Sequence, residues 1–168
     1  MKRESLYRKT VDILYQAYFN DTLRHGNCYA CACGNLVAAN MGFEFERSEE
    51  PFFEQHKIHW KGTKNIYSPF NDKTVMDSWF NATHKHSNHP PTKKSFEQVK
   101  STGYSVSELT KIEREFERAS YGNNDEDHMF NGLVAVLKVL DKIHEVNVEE
   151  STTSKNKFEK HYQTLVNA

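Results

Sequence analysis

The chain has 168 residues and a formal net charge of −1, and 37% of its residues are hydrophobic and 12% aromatic. This length suits one domain with a buried core, and the aromatic content argues against a chain that is disordered throughout. Lys and Arg nearly balance Asp and Glu, so no basic stripe for phosphates is evident and we expect no general nucleic-acid binding.

The first 42 residues predict two helices. Apolar residues recur at helical spacing in the first of them, which indicates one buried face. This face comprises Tyr7, Val11, Leu14 and Tyr18. Asn27 is the predicted N-cap of a second helix over residues 28–40, whose small residues allow close neighbours and favour a central position.

Residues 43–101 predict an irregular, aromatic-rich segment. They contain all 4 prolines and show little apolar periodicity. The stretches FEFER and HKIHW alternate weakly, which indicates a short β-hairpin. The histidine-rich stretch HKHSNH is interpreted as a solvated loop. A segment of this length without clear elements, inside a compact domain, is typically functional.

Two further helices are predicted after residue 101. Ser105 and Glu108 fit a capping box for the third helix, and Asn124 is a candidate cap for the fourth. Mid-helix glycines Gly34 and Gly132, in the similar stretches GNLVAAN and FNGLVAVL, suggest that the second and fourth helices cross closely there.

The predicted fold is mainly α, a compact bundle of about four helices in a single domain, residues 1–168. Its helical core comprises residues 4–42 and 102–146, with the irregular segment between them and a polar tail over 147–168.

The stretch HGNCYACACG raises the question of a metal site. His25, Cys28 and Cys31 are the candidate ligands, but structural zinc sites normally pair two separated ligand units, and a second C-x2-C is absent from the sequence. On a helix, Cys33 points away from Cys31. We therefore expect buried small cysteines, with a metal site or a reactive Cys28 as the alternatives.

Polar residues on apolar helix faces suggest a ligand pocket. Asn35, Glu113 and Asn131 lie on or beside the buried faces of the second, third and fourth helices. Either they form an internal hydrogen-bond network, or they converge on a ligand between helices. In the second case, aromatic residues of the middle segment would close over the ligand. These are Trp60, Tyr67 and Trp79.

The blocks GNCYACACGNLVAAN and TGYSVSELTKIEREFE…HMFNGLVAVLKVLDKIH resemble a family of small proteins encoded by phages of gut Bacteroidetes and by their prophages. They cover about 60 of the 168 residues. The family brings no assigned activity, so no catalytic residue is transferred. The resemblance implies a phage protein in the host cytoplasm, in an accessory role.

The expected function is non-enzymatic binding of a small molecule, such as a host nucleotide-derived signal that the phage sequesters to evade defence. The alternatives are a protein-interaction module that inhibits a host enzyme and a zinc-stabilised structural module. No cofactor is expected. No membrane partner is expected either, since the longest candidate membrane segment, LVAVLKVL, is too short to span a bilayer and contains a lysine. Whether the chain forms a homo-oligomer is left open.

Overall fold

In a computed structural model, the residues described are 3–49, 53–63, 77–84, 90–147, 151, 156, 157, 160, 163, 164 and 167. They are mainly helical, which confirms the predicted fold class. The helices and strands are α1 (Arg3–Phe19), α2 (Ala32–Met41), β1 (Phe45–Arg47), β2 (Ile58–Trp60), α3 (Trp79–Thr83), α4 (Lys93–Ser101), α5 (Val106–Ala119) and α6 (Glu126–Ile143), and a 3-10 turn covers Glu54–His56.

The central helix is α2, as predicted, and its residues from Ala32 to Ala38 are buried. It contacts α1, α4 and α5. Helices α5 and α6 run antiparallel, because Tyr104, just before α5, lies against the end of α6, where its hydroxyl is 2.7 Å from Nε2 of His144. The core therefore lies between α2 and the inner faces of α1, α5 and α6.

The start of α2 differs from the prediction. The Asn27 side chain accepts a hydrogen bond from the backbone N–H of Tyr29 at 2.9 Å, which closes a tight turn before the helix. Cys31 is the N-cap instead, with its Sγ accepting from the N–H of Gly34 at 3.4 Å. Residues 28–31 are therefore turns, and the helix begins at Ala32.

The predicted crossing of the second and fourth helices at their glycines is wrong. A Cβ atom at Gly34 would overlap the backbone carbonyl groups of Cys28 and Tyr29, in the turn before the same helix. A Cβ atom at Gly132 of α6 would approach the Phe116 ring of α5 to 2.8 Å. Gly132 therefore permits close packing of α5 on α6, and Gly34 permits the tight turn into α2.

The middle segment holds more regular structure than its sequence indicates. The predicted hairpin is confirmed, with Phe45 paired to Trp60 in an antiparallel register. Helices α3 and α4 pack against each other, and α4 was not predicted. Within the described part of the chain, no helix is both long and apolar enough to cross a membrane.

The capping box of α5 is confirmed and supports a first prediction. Ser105 Oγ accepts from the N–H of Glu108 at 3.1 Å, and Glu108 Oε1 accepts from the N–H of Ser105 at 3.0 Å. Ser105→Ala is expected to lower the free energy of unfolding by about 1 kcal/mol, measured by urea denaturation. The exposed Ser107 of the same turn is the control, and Ser107→Ala should change it by less than about 0.5 kcal/mol. Equal effects of the two substitutions would contradict the capping role.

Candidate functional site

Two of the predicted ligand residues, Trp60 and Trp79, are core residues. Trp60 is 2% exposed, and its Nε1 donates to the carbonyl oxygen of Tyr29 at 3.1 Å. Trp79 is fully buried, and its Nε1 donates to the carbonyl oxygen of Cys28 at 3.0 Å. Both indoles thus hold the turns before α2 in place.

Asn35 is also structural. Its Oδ1 accepts from the Thr22 hydroxyl at 2.7 Å, and its Nδ2 donates to the carbonyl oxygens of Thr22, Ala30 and Cys31 at 2.9, 3.1 and 3.0 Å. The amide is fully engaged within the protein, which is the internal network that the sequence left as an alternative. It fastens the segment between α1 and α2 to the start of α2.

The remaining predicted residues lie apart from one another. Glu113 faces a small cleft beside the turns before α2, whereas Asn131 is exposed in a groove between α5 and α6. Tyr67 lies outside the described residues. The structure therefore does not bring the described members of the predicted set together at one site. Glu113 and Asn131 line two different concave surfaces.

The larger surface, which we call the basic groove, lies between α5 and α6 and has a volume of about 770 Å³. Partly buried apolar side chains line it, among them Phe130, Val134, Val139 and Ile143. Exposed cations border it at helical spacings that keep them on one face. These cations are Lys111, Arg114 and Arg118 of α5 and Lys138 and Lys142 of α6.

The charges of the basic groove are poorly compensated. Its lining includes one carboxylate, that of Glu115, which accepts hydrogen bonds from Arg118 at 2.7 and 3.1 Å. These bonds, with the charges of Arg118, Arg114 and Lys142, lower the pKa of Glu115, so it stays ionised at neutral pH. Among the residues that the structure describes, the other four cations form no ion pair within 4.0 Å. The groove therefore carries a net positive charge.

The smaller surface, which we call the carboxylate cleft, has a volume of about 230 Å³. Its lining comprises Gly26, Asn27, Cys28, Cys31, Phe80, Glu113 and Glu117. The two glutamates are one helical turn apart on α5, which places both side chains on the same face of the helix. Glu113 is only 8% exposed.

Two imidazoles flank the carboxylates of the cleft. Nε2 of His84, at the end of α3, lies 3.3 Å from Oε2 of Glu113. Nδ1 of His25 lies 3.0 Å from Oε2 of Glu117, which also accepts from the N–H of Gly26 at 2.9 Å. Four segments thus meet here: the turns before α2, α2 through its Cys31 cap, α3 and α5.

Burial dominates the electrostatics of the cleft. It raises the pKa of Glu113 to about 8, helped by the nearby charge of Glu117. It also raises the pKa of Glu117 to about 7, against the opposing hydrogen bond from Gly26. Burial lowers the pKa of His25, which is therefore mostly neutral at neutral pH. At neutral pH Glu113 is mostly protonated and Glu117 is partly protonated, so the unliganded cleft carries less negative charge than two ionised carboxylates would give.

The three cysteines are reduced thiols, and all three are buried. Cys33 Sγ donates to the carbonyl oxygen of Leu109 on α5 at 3.4 Å, away from the N-cap sulfur of Cys31. Burial raises the pKa of the Cys31 and Cys33 thiols. In the described residues, no group of three or more His, Cys, Asp and Glu side chains could hold a metal ion, so His25, Cys28 and Cys31 do not form such a site.

Several residues of these surfaces were not predicted from the sequence. Glu117 could have been predicted, because it follows Glu113 by one helical turn and therefore lies on the same face of the helix. His84 was assigned to a solvated loop, and its contact with Glu113 depends on how α3 packs against α5. The cations of the basic groove repeat at helical spacing, but a groove appears only once α5 is known to pack on α6.

Fold and surfaces together define a small, mainly α protein with an open basic groove and a separate carboxylate cleft. Comparison of the chain with protein-family models, curated proteins and solved structures gave no match.

Proposed function

We propose that the protein is a non-enzymatic binding protein whose basic groove takes a small anionic molecule with an aromatic part, of the nucleotide-derived class. The observation that carries this proposal is the ring of five cations around an apolar lining that includes a single, already paired carboxylate. Phosphate oxygens suit Lys and Arg, and a nucleobase suits an apolar surface.

The size and chemistry of the groove support the same ligand class. Its volume of about 770 Å³ lies within the range of about 300 to 1,000 Å³ that is typical of small-molecule sites. The uncompensated cations Lys111, Lys138 and Lys142 would meet the phosphates. Phe130 and the amide of Asn131, at the end nearest the α5–α6 connection, would meet the base. In the phage setting that the sequence resemblance implies, such binding would sequester a host signal.

The second prediction tests this groove. Lys138→Gln combined with Lys142→Gln is expected to weaken nucleotide binding about tenfold for each lysine removed, since each loses a charge-assisted contact with phosphate. Isothermal titration calorimetry against ATP and a panel of cyclic dinucleotides measures it at fixed ionic strength. Affinity should also fall as salt is added.

The matched control removes two lysines outside the groove. Lys93 and Lys94 begin α4 and are exposed. Replacing both with glutamine gives a variant with the same net charge as the Lys138→Gln, Lys142→Gln double variant. Its affinity should stay within about twofold of the wild-type value. An absence of binding across the panel, or an equal loss in both double variants, would refute the proposal. Stoichiometric recovery of an acidic host protein instead would favour a protein-interaction module.

A further inference from the structure

The carboxylate cleft is separate from the basic groove, and the proposed nucleotide site does not use it. Oε2 of Glu113 faces His84, and Oε2 of Glu117 faces His25 and the N–H of Gly26. Among the residues that the structure describes, Oε1 of each carboxylate has no hydrogen-bond partner. Glu113 is 8% exposed, and its free oxygen remains accessible from the cleft.

We propose that the carboxylate cleft binds a small organic cation, a guanidinium or primary ammonium group, between the carboxylates of Glu113 and Glu117. Such a group donates several hydrogen bonds, which the two free Oε1 atoms accept. The volume of about 230 Å³ is smaller than a typical drug-sized pocket and suits a compact head group.

The surroundings select for a cation of this kind. Within the described chain, neither carboxylate forms an ion pair with a lysine or arginine. The thiols of Cys28 and Cys31 and the Phe80 ring make the rest of the lining poorly polar. A poorly polar wall strengthens the attraction between a bound cation and the carboxylates. No third ligand completes a metal site in the described residues, whereas a guanidinium needs only the two carboxylates.

Binding of a cation in this cleft should be accompanied by proton release, which makes the affinity depend on pH. A bound cation favours ionised carboxylates, so binding releases the proton that Glu113 holds at neutral pH, where its pKa is about 8. Affinity must therefore rise with pH until Glu113 is ionised. The His84 imidazole faces Glu113, and the His25 imidazole faces Glu117. Burial lowers the pKa of His25, and its protonation at lower pH repels a cation, which acts in the same direction. The Cys31 thiol stays neutral, because burial raises its pKa.

The third prediction is therefore a pH-dependent preference for charge. The probe is n-propylguanidinium, and its control is n-propylurea, which has nearly the same shape and no charge. From about pH 6 to about pH 9, the affinity of the wild-type protein for n-propylguanidinium is expected to rise at least about tenfold, because the probe stays cationic while Glu113 ionises. Calorimetry in buffers of different ionisation enthalpy should detect the released proton.

Two single variants locate the effect. Glu113→Gln keeps the shape of the side chain and should remove at least about tenfold of the affinity at about pH 9, together with the part of the pH dependence that Glu113 causes; Glu117, with a pKa of about 7, still ionises in this range. Glu97→Gln removes an exposed carboxylate of α4 that lines neither concave surface and should leave n-propylguanidinium binding unchanged. Equal binding of n-propylurea, affinity that does not vary with pH, or full binding by Glu113→Gln would overturn the proposal. None of these results depends on the basic groove, so the two proposals stand or fall separately.

Discussion

Replacing Trp79 by alanine is expected to lower the free energy of unfolding by about 3 to 5 kcal/mol, because the change leaves a large cavity and removes a buried hydrogen bond. Trp79 is fully buried, its indole N–H donates to the carbonyl of Cys28, and its backbone N–H donates to Gln98 Oε1 at 2.9 Å. The residue therefore joins α3 to α4 and to the turns before α2. Urea denaturation followed by far-UV circular dichroism measures the change.

A second variant separates packing from the hydrogen bond and remains informative if the alanine variant does not fold. Trp79→Phe keeps most of the ring and removes the indole N–H, so it should lose roughly 1 to 2 kcal/mol. The folded Phe variant should bind the ligand of the basic groove as the wild-type protein does. Unchanged stability with lost ligand binding would show instead that Trp79 is a ligand residue, as the sequence alone suggested.

Local signals in the sequence predicted the local structure well. The capping box at Ser105 and Glu108 depends on four consecutive residues and forms as expected. The hairpin of β1 and β2 follows from alternation within each strand. The apolar face of α6 repeats over five turns, which is long enough to exclude a strand. In each case the information lies within one short stretch of chain.

Elements that depend on distant contacts were not predictable in this way. Helix α4 buries Ser95, Gln98 and Val99, so its inner face is mostly polar and the apolar periodicity is weak. The Gln98 side chain is fixed by a contact that is distant in sequence, because its Oε1 accepts a hydrogen bond from the backbone N–H of Trp79, 19 residues earlier. Likewise, residues 28–31 form turns where the sequence predicted helix. The Trp60 and Trp79 indoles, which are distant in sequence, donate hydrogen bonds to the carbonyl oxygens of these turns.

The candidate sites show the same difference between local sequence signals and contacts between distant residues. A buried polar residue was predicted at Glu113 because it lies beside an apolar stripe, and it is buried. Its surroundings were not predicted, because His25 and His84 come from segments 88 and 29 residues earlier in the sequence. Asn131 was placed beside a buried face, and it is exposed in the basic groove. Sequence patterns identified residues of interest, and helix packing determined which of them meet.

The unliganded protein is expected to lose stability as the pH rises, and Glu113→Gln should remove much of this loss. The folded state raises the pKa of Glu113 from the ordinary value of 4.5 to about 8, so it holds a proton that the unfolded chain has released. The stabilisation from this proton is fully present below the unfolded pKa and is lost as pH rises through the folded pKa. The difference in free energy of unfolding, Glu113→Gln minus wild type, should therefore increase by on the order of 3 kcal/mol from about pH 5 to about pH 8.5.

Taking this difference removes most other titrations, because both proteins share them. His25, His56 and His144 have pKa values lowered by burial, so their contribution rises with pH in both proteins and cancels. Glu115→Gln should show no such increase, since the hydrogen bond from Arg118 lowers the pKa of Glu115 and its proton is absent over most of this range. Urea denaturation at each pH tests all three proteins. A constant difference between Glu113→Gln and wild type would mean that Glu113 is ionised in the folded state at neutral pH, and the carboxylate cleft would then be charged before any cation binds.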